Sequence, residues 1–147
     1  MDKWLPILVT VIAGSLVALQ APINGMLGRT VGSLAAASVS FAIGLAVLVA
    51  ITLVAGGGFG QVGEIQGLSW YYLTGGVLGA IYVTTVLITV RELGAGSVTA
   101  ATIAGQLTMS VIIDRAGVLG LPEKGLTAQR IVGVVLLSAG TFLIVRD

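Results

Sequence analysis

The sequence has no cysteine and no histidine. Without thiols there are no disulfides and no thiolate metal sites, and without imidazoles the usual zinc ligand and the commonest general base are missing. No metal and no cofactor is implied, and an enzyme is not expected. Charge is scarce as well: aspartate, glutamate, lysine and arginine make up 9% of the residues, where soluble domains carry roughly 25%. The net charge of +1 offers no basic face for nucleic acid and no acidic face for a cationic partner.

What is abundant is apolar. Of 147 residues, 56% are hydrophobic, and the mean hydropathy is +1.10. A soluble chain this short has too much surface relative to its core to bury so much apolar side chain, so lipid is its natural solvent. A spanning helix needs about 20 mostly apolar residues, and the sequence offers five such runs, at 5–27, 34–55, 70–90, 95–113 and 127–145. Between them lie connectors with turn chemistry: Gly28-Arg29-Thr30, "GGGFGQVGEIQG" at 56–67, Arg91-Glu92-Leu93-Gly94, and "RAGVLGLPEKGL" at 115–126. No linker divides domains and no internal sequence repeat stands out. The expectation is an all-α integral membrane protein with a single transmembrane domain over 1–147.

Three motif-like stretches resolve into structure. Lys3 and "ALQA" resemble a signal peptide, but the apolar run is longer than an h-region of about 7–15 residues, and Pro22 would follow the cleavage point directly. "GGGFGQ" lacks the Gly-Lys-Ser/Thr ending of a phosphate loop, and "GAGSVTAATIAG" follows a membrane helix rather than a strand.

Orientation in a membrane follows lysine and arginine in short loops. In a five-helix chain the amino-terminal side holds Lys3, Arg115, Lys124 and Arg130, and the other side holds Arg29, Arg91 and Arg146. Four against three gives no clear instruction. One reading is dual topology, with copies inserted both ways and paired antiparallel; the other is a single orientation fixed by a partner or by unequally weighted charges. Two inverted five-helix copies would make a ten-helix inverted-repeat body, an arrangement transporters use with the site near the midplane.

Small residues mark faces where helices approach closely: Ala36, Ser40 and Gly44 in the second span, Gly75 and Gly79 in the third, Gly96, Ala100 and Ala104 in the fourth. The fourth span also carries Thr102, Gln106, Ser110 and Asp114, each four apart and so on one face, roughly opposite the small-residue stripe. That line reads as a cavity wall or an inter-helix ladder, with a local Asp114–Arg115 ion pair as the structural alternative. In the first span Gln20 and Asn24 share a face around Pro22, which lacks an N–H and crowds the carbonyl of Ala18, so a kink is expected there. Amides in hydrocarbon must find water, a ligand or another helix. A substrate cavity at Gln20 and Asn24 is therefore weighed against inter-helix glue. Trp4, Trp70, Tyr71 and Tyr72 stand at span starts as an interfacial belt, while Tyr82 lies deeper and is a candidate cavity aromatic.

Four segments together, "ALQAPINGMLGR", "SVSFAIG", "WYYLTGGVLGAIYV" and "AGQLTMSVIIDRAG", resemble the bacterial YdcZ-like proteins, a five-helix family of the drug/metabolite transporter superfamily. The resemblance runs nearly the whole chain. It implies a half-size transporter fold working as a dimer in the bacterial inner membrane, with family positions at Gln20, Asn24, Phe41, Gly44, Trp70, Gly75, Gly76, Gly79, Gly105, Gln106, Ser110 and Asp114. It names no substrate. Small multidrug transporters of that superfamily use a glutamate within the first helix; here the nearest positions are amides, so that drug–proton exchange mechanism does not carry over.

The leading expectation is a small-solute transporter acting as an antiparallel homodimer in lipid, for a neutral or zwitterionic polar solute. A passive channel and a non-transporting assembly or regulatory subunit are the alternatives. Any proton coupling would fall to Asp114, the carboxylate contiguous with the polar line of the fourth span.

Overall fold

A computed structural model describes residues 3–146. It is all-helical, with no strand among the described residues. Helix α1 is Trp4–Val31 and α2 is Ser33–Ala55. Short 3-10 turns at Val62–Gly67 and Trp70–Leu73 lead into a helical stretch, Thr74–Ala116, which leaves helical geometry at Gly94 (φ 77°, ψ 163°). That break divides it into α3 (74–93) and α4 (95–116), and α5 is Ala128–Arg146. Trp4–Val31, Ser33–Ala55, Trp70–Ala116 and Ala128–Arg146 are each long and apolar enough to cross a membrane.

Two connectors differ from the sequence expectation. Gly28-Arg29-Thr30 is not a loop: α1 continues through it, and the turn is the single residue Gly32, whose N–H donates to the Gly28 carbonyl at 3.1 Å. Nothing in Arg29 or Thr30 forbids helix, and a cation in the last turn suits the helix dipole. Likewise Arg91, Glu92 and Leu93 remain helical, and Gly94 alone makes the break. Gly32 has φ 86° and ψ 154°, so both turns use a backbone region that is essentially open to glycine alone. The third span also begins later than expected: residues 70–73 are 3-10, and the α-helix starts at Thr74, whose hydroxyl donates to the Tyr71 carbonyl. Helix α1 passes through Pro22 without ending there.

The chain groups into two compact units, one ending at Ile88 and the other starting at Thr89. In the first, α1 and α2 form an antiparallel hairpin about Gly32. Ala21, Asn24, Gly25 and Gly28 are buried along one face of α1 at helical spacing. Ala36 and Ala37 of α2 and Leu87 of α3 form the packed centre, with Leu27 and Val83 against it. The Phe41 ring lies 3.6 Å from where a Cβ on Gly79 would be, so a small residue lets that ring settle on α3.

In the second unit α4 and α5 are joined by polar contacts spread along their length. Thr141 donates to the Ala100 carbonyl at 3.1 Å, Ser97 to the Ile144 carbonyl at 3.5 Å, and Arg130 to Asp114 at 3.0 Å. The loop between them folds back on the end of α4, with the Lys124 N–H on the Asp114 carbonyl at 2.7 Å.

The turn glycines predict their own test. Gly32→Ala and Gly94→Ala force a side chain into a backbone state it resists, and each should lower stability by about 1–3 kcal/mol. Gly14→Ala, helical and with nothing within 4 Å of the added methyl, should be neutral or stabilise by up to about 1 kcal/mol. Thermal unfolding in one detergent measures all three; a turn variant as stable as the parent would contradict the backbone assignment.

Candidate functional site

The polar residues of the first span meet α3 in a cleft. Val17, Gln20, Ala21 and Asn24 line one wall, and Tyr82, Val83, Val86 and Leu87 the other, around an open volume of about 230 Å³. The arrangement follows from helical spacing. Gln20 and Asn24 are one turn apart on α1, as are Tyr82 and Val86 on α3, so each pair shares a face. Sequence reasoning identified Gln20, Asn24 and Tyr82 but not the valine and leucine positions around them. Their spacing with Tyr82 was the available signal.

The two amides have different surroundings. Asn24 is 7% exposed, and its Nδ2 donates to the Ser40 hydroxyl on α2 at 3.1 Å. Ser40, expected as a small packing residue, is thus a hydrogen-bond partner. Gln20 is exposed and its side chain makes no hydrogen bond within the described residues. Tyr82 is half-buried. The cleft contains no acid, base or thiol, so it can bind through hydrogen bonds and apolar contact but has no group suited to proton transfer or covalent chemistry.

The polar line of α4 belongs to the second unit. Thr102 donates to the Val98 carbonyl at 2.7 Å and Ser110 to the Gln106 carbonyl at 2.7 Å, so both hydroxyls are satisfied on their own helix. The Gln106 side chain is exposed. Asp114 does not pair with its neighbour Arg115. Its Oδ2 accepts from Arg130 at 3.0 Å and lies 3.5 Å from the Lys124 ammonium, while Arg115 pairs with Glu123. The first turn of α5 therefore supplies the counter-charge, a partner sixteen residues away that spacing on α4 does not disclose.

Of the small-residue positions, Gly79 meets Phe41 and Ala100 accepts the Thr141 hydrogen bond. Ala104 is half-buried. A Cβ on Gly44, Gly75 or Gly96 would meet nothing within 4 Å. Trp70, Tyr71 and Tyr72 are exposed and stack in sequence, with Trp70 edge-on to Tyr71 at 6.4 Å and Tyr71 parallel to Tyr72 at 4.6 Å. Trp4 is exposed at the start of α1.

Comparison with known proteins places this architecture. The family described as "Putative inner membrane exporter, YdcZ" matches residues 5–143. No curated protein and no solved structure matches the chain.

The ion pairs on Asp114 carry a prediction. Its side chain is 22% exposed and that of Arg130 30%, against 53% for Lys124. Arg130→Met should therefore cost about 1–3 kcal/mol, between the ranges for exposed and fully buried pairs. Lys124→Met should cost less than about 1 kcal/mol. Thermal unfolding of the two variants should show that order, and the reverse order would contradict the pairing.

Proposed function

The chain belongs to the YdcZ family, and from that premise we propose that this multi-pass inner-membrane protein moves a small neutral or zwitterionic polar solute, acting as an antiparallel, dual-topology homodimer. The observation that carries the reading is the cleft between α1 and α3. It presents the Gln20 amide without a partner among the described residues, beside Asn24 and Tyr82, in helices otherwise made for hydrocarbon. An unmet amide costs several kcal/mol in an apolar medium, and a polar solute removes that cost whenever it occupies the cleft.

The charge preference follows from the lining. Amides and a phenol donate and accept hydrogen bonds but cannot neutralise a full charge, and charges within a membrane pair with one another or with carbonyls. A lipophilic cation would find no counter-ion. Asp114, the residue expected to carry any proton coupling, is held by Arg130 and Lys124, so a proton reaching it must displace two cations. We assign it the role of locking α4 to α5.

A cleft of about 230 Å³ is smaller than the roughly 300–1,000 Å³ of ligand pockets. This supports a site completed by a second copy, to which the Gln106 line of each chain would contribute. The near-even split of cations between the two sides supports insertion in both orientations.

Two measurements test the proposal. Single cysteines at Glu64→Cys and Arg91→Cys should each be labelled from both sides of the membrane; labelling from one side only would remove dual topology. In reconstituted vesicles, uptake should saturate with solute concentration, and Gln20→Ala should weaken it about tenfold, the equivalent of one hydrogen bond of about 1.4 kcal/mol. Flux that never saturates would mean a channel, and no flux above empty vesicles would mean a non-transporting role.

A further inference from the structure

We propose that Ser40 is a positioning residue that sets what the cleft selects: by holding the nitrogen of the Asn24 amide, it leaves the amide oxygen as a fixed acceptor and favours neutral solutes that carry an N–H or O–H donor. This rests on the cleft being the solute site.

The first support is what Ser40 does compared with its neighbours. Hydroxyls in α2 otherwise turn back on their own helix: Ser38 donates to the Leu34 carbonyl at 2.9 Å and Thr52 to the Leu48 carbonyl at 2.8 Å. Ser40 instead receives the Asn24 Nδ2 hydrogen across the hairpin at 3.1 Å. The second support is burial. Asn24 is 7% exposed and lies in the packed α1–α2 face beside Ala21, Gly25 and Gly28. The amide is therefore confined, and its direction is set by the one group it meets on α2.

The chemistry follows from the planar amide. Its two ends are a donor nitrogen and an acceptor oxygen, and a nitrogen committed to α2 leaves the oxygen as the end to offer. Gln20, one turn earlier, is exposed and adaptable, so it can donate or accept. Tyr82 can do either. The one fixed demand in the cleft is then for a hydrogen-bond donor. A solute without one leaves a buried carbonyl unpaired, which discriminates more strongly than the gain from the bond itself.

Asn24 is the only asparagine in the chain, which makes the idea directly measurable. Selective ¹⁵N labelling of asparagine gives a single side-chain NH₂ pair in the NMR spectrum of the full protein in nanodiscs. In the parent the two protons should be well separated and slow to exchange. Ser40→Thr should preserve that signature and Ser40→Ala should lose it.

Isobutyramide and N,N-dimethylacetamide are then titrated against that signal; they match in heavy-atom count and differ in having an N–H. The parent should respond to isobutyramide at roughly fivefold lower concentration, one net hydrogen bond. Ser40→Thr should keep the preference and Ser40→Ala should abolish it while the protein still melts as a folded species. Equal responses to both amides in the parent, or an unchanged preference in Ser40→Ala, would overturn the inference. Should Ser40→Ala fail to fold, the isobutyramide preference in the parent and in Ser40→Thr decides. A preference for isobutyramide with no solute flux would instead sink the transport reading and leave the selectivity of the cleft standing.

Discussion

A hydroxyl or amide inside hydrocarbon has no water to turn to, and every polar residue of this chain is arranged around that constraint. Hydroxyls have a local answer, because serine and threonine reach the carbonyl one turn back. Thr10, Ser15, Ser38, Thr52, Thr102, Thr108 and Ser110 all take it. Amides have no such answer. Asn24 reaches across to α2, while Gln20 and Gln106 remain exposed and unpartnered within the described residues. Ionised groups sit near helix ends, and Asp114 and Arg130 meet at one of them. The result is a ranking: what can be satisfied on one helix is, what needs two helices makes the hairpin, and what remains is available to a solute.

The same economy shapes the backbone. Gly32 and Gly94 break their helices with nearly the same dihedral angles, and buried residues fall at matching distances around them: Gly25, Gly28 and Ala36 about the first, Leu87, Val90 and Val98 about the second. An arginine stands three positions before each glycine, at Arg29 and Arg91. One local device is used twice, although aligned side chains around it differ too much for the repeat to stand out in the sequence. A turn of one residue leaves almost no backbone amide unpaired at the membrane edge, which a longer loop would have to hydrate.

Much of the fold was legible because hydropathy and length decide spans almost by themselves. The pairing of Gln20 with Asn24 was also legible, since four residues make one helical turn. Turn positions were not. Gly28, Arg29 and Thr30 look like a connector by composition, yet Gly28 is a buried helical residue and the break falls at Gly32. Any glycine can be helical or left-handed, and only packing chooses. Partners across helices were hidden as well. Ser40 and Asn24 are sixteen residues apart, as are Asp114 and Arg130, and nothing in a one-dimensional pattern says which hydroxyl will turn outward or which cation will reach an acid. Tyr82 could be singled out for its depth, but its apolar companions Val83, Val86 and Leu87 look like any lipid-facing residues until α1 packs beside them.

The cations show how one set of residues serves two stages. During insertion the count of lysines and arginines matters and acids contribute little, so Arg115, Lys124 and Arg130 weigh against Arg29, Arg91 and Arg146. After folding, those same three are held by Glu123 and Asp114. Their charge is then spent on fixing the α4–α5 end rather than on the membrane surface. Near-balance at insertion is therefore compatible with a well-defined folded state in either orientation, because the ion pairs that lock the second unit are internal and do not depend on which side of the membrane they face. A fold that relied on lipid charge to organise that end would work in one orientation alone. This chain carries its own counter-ions.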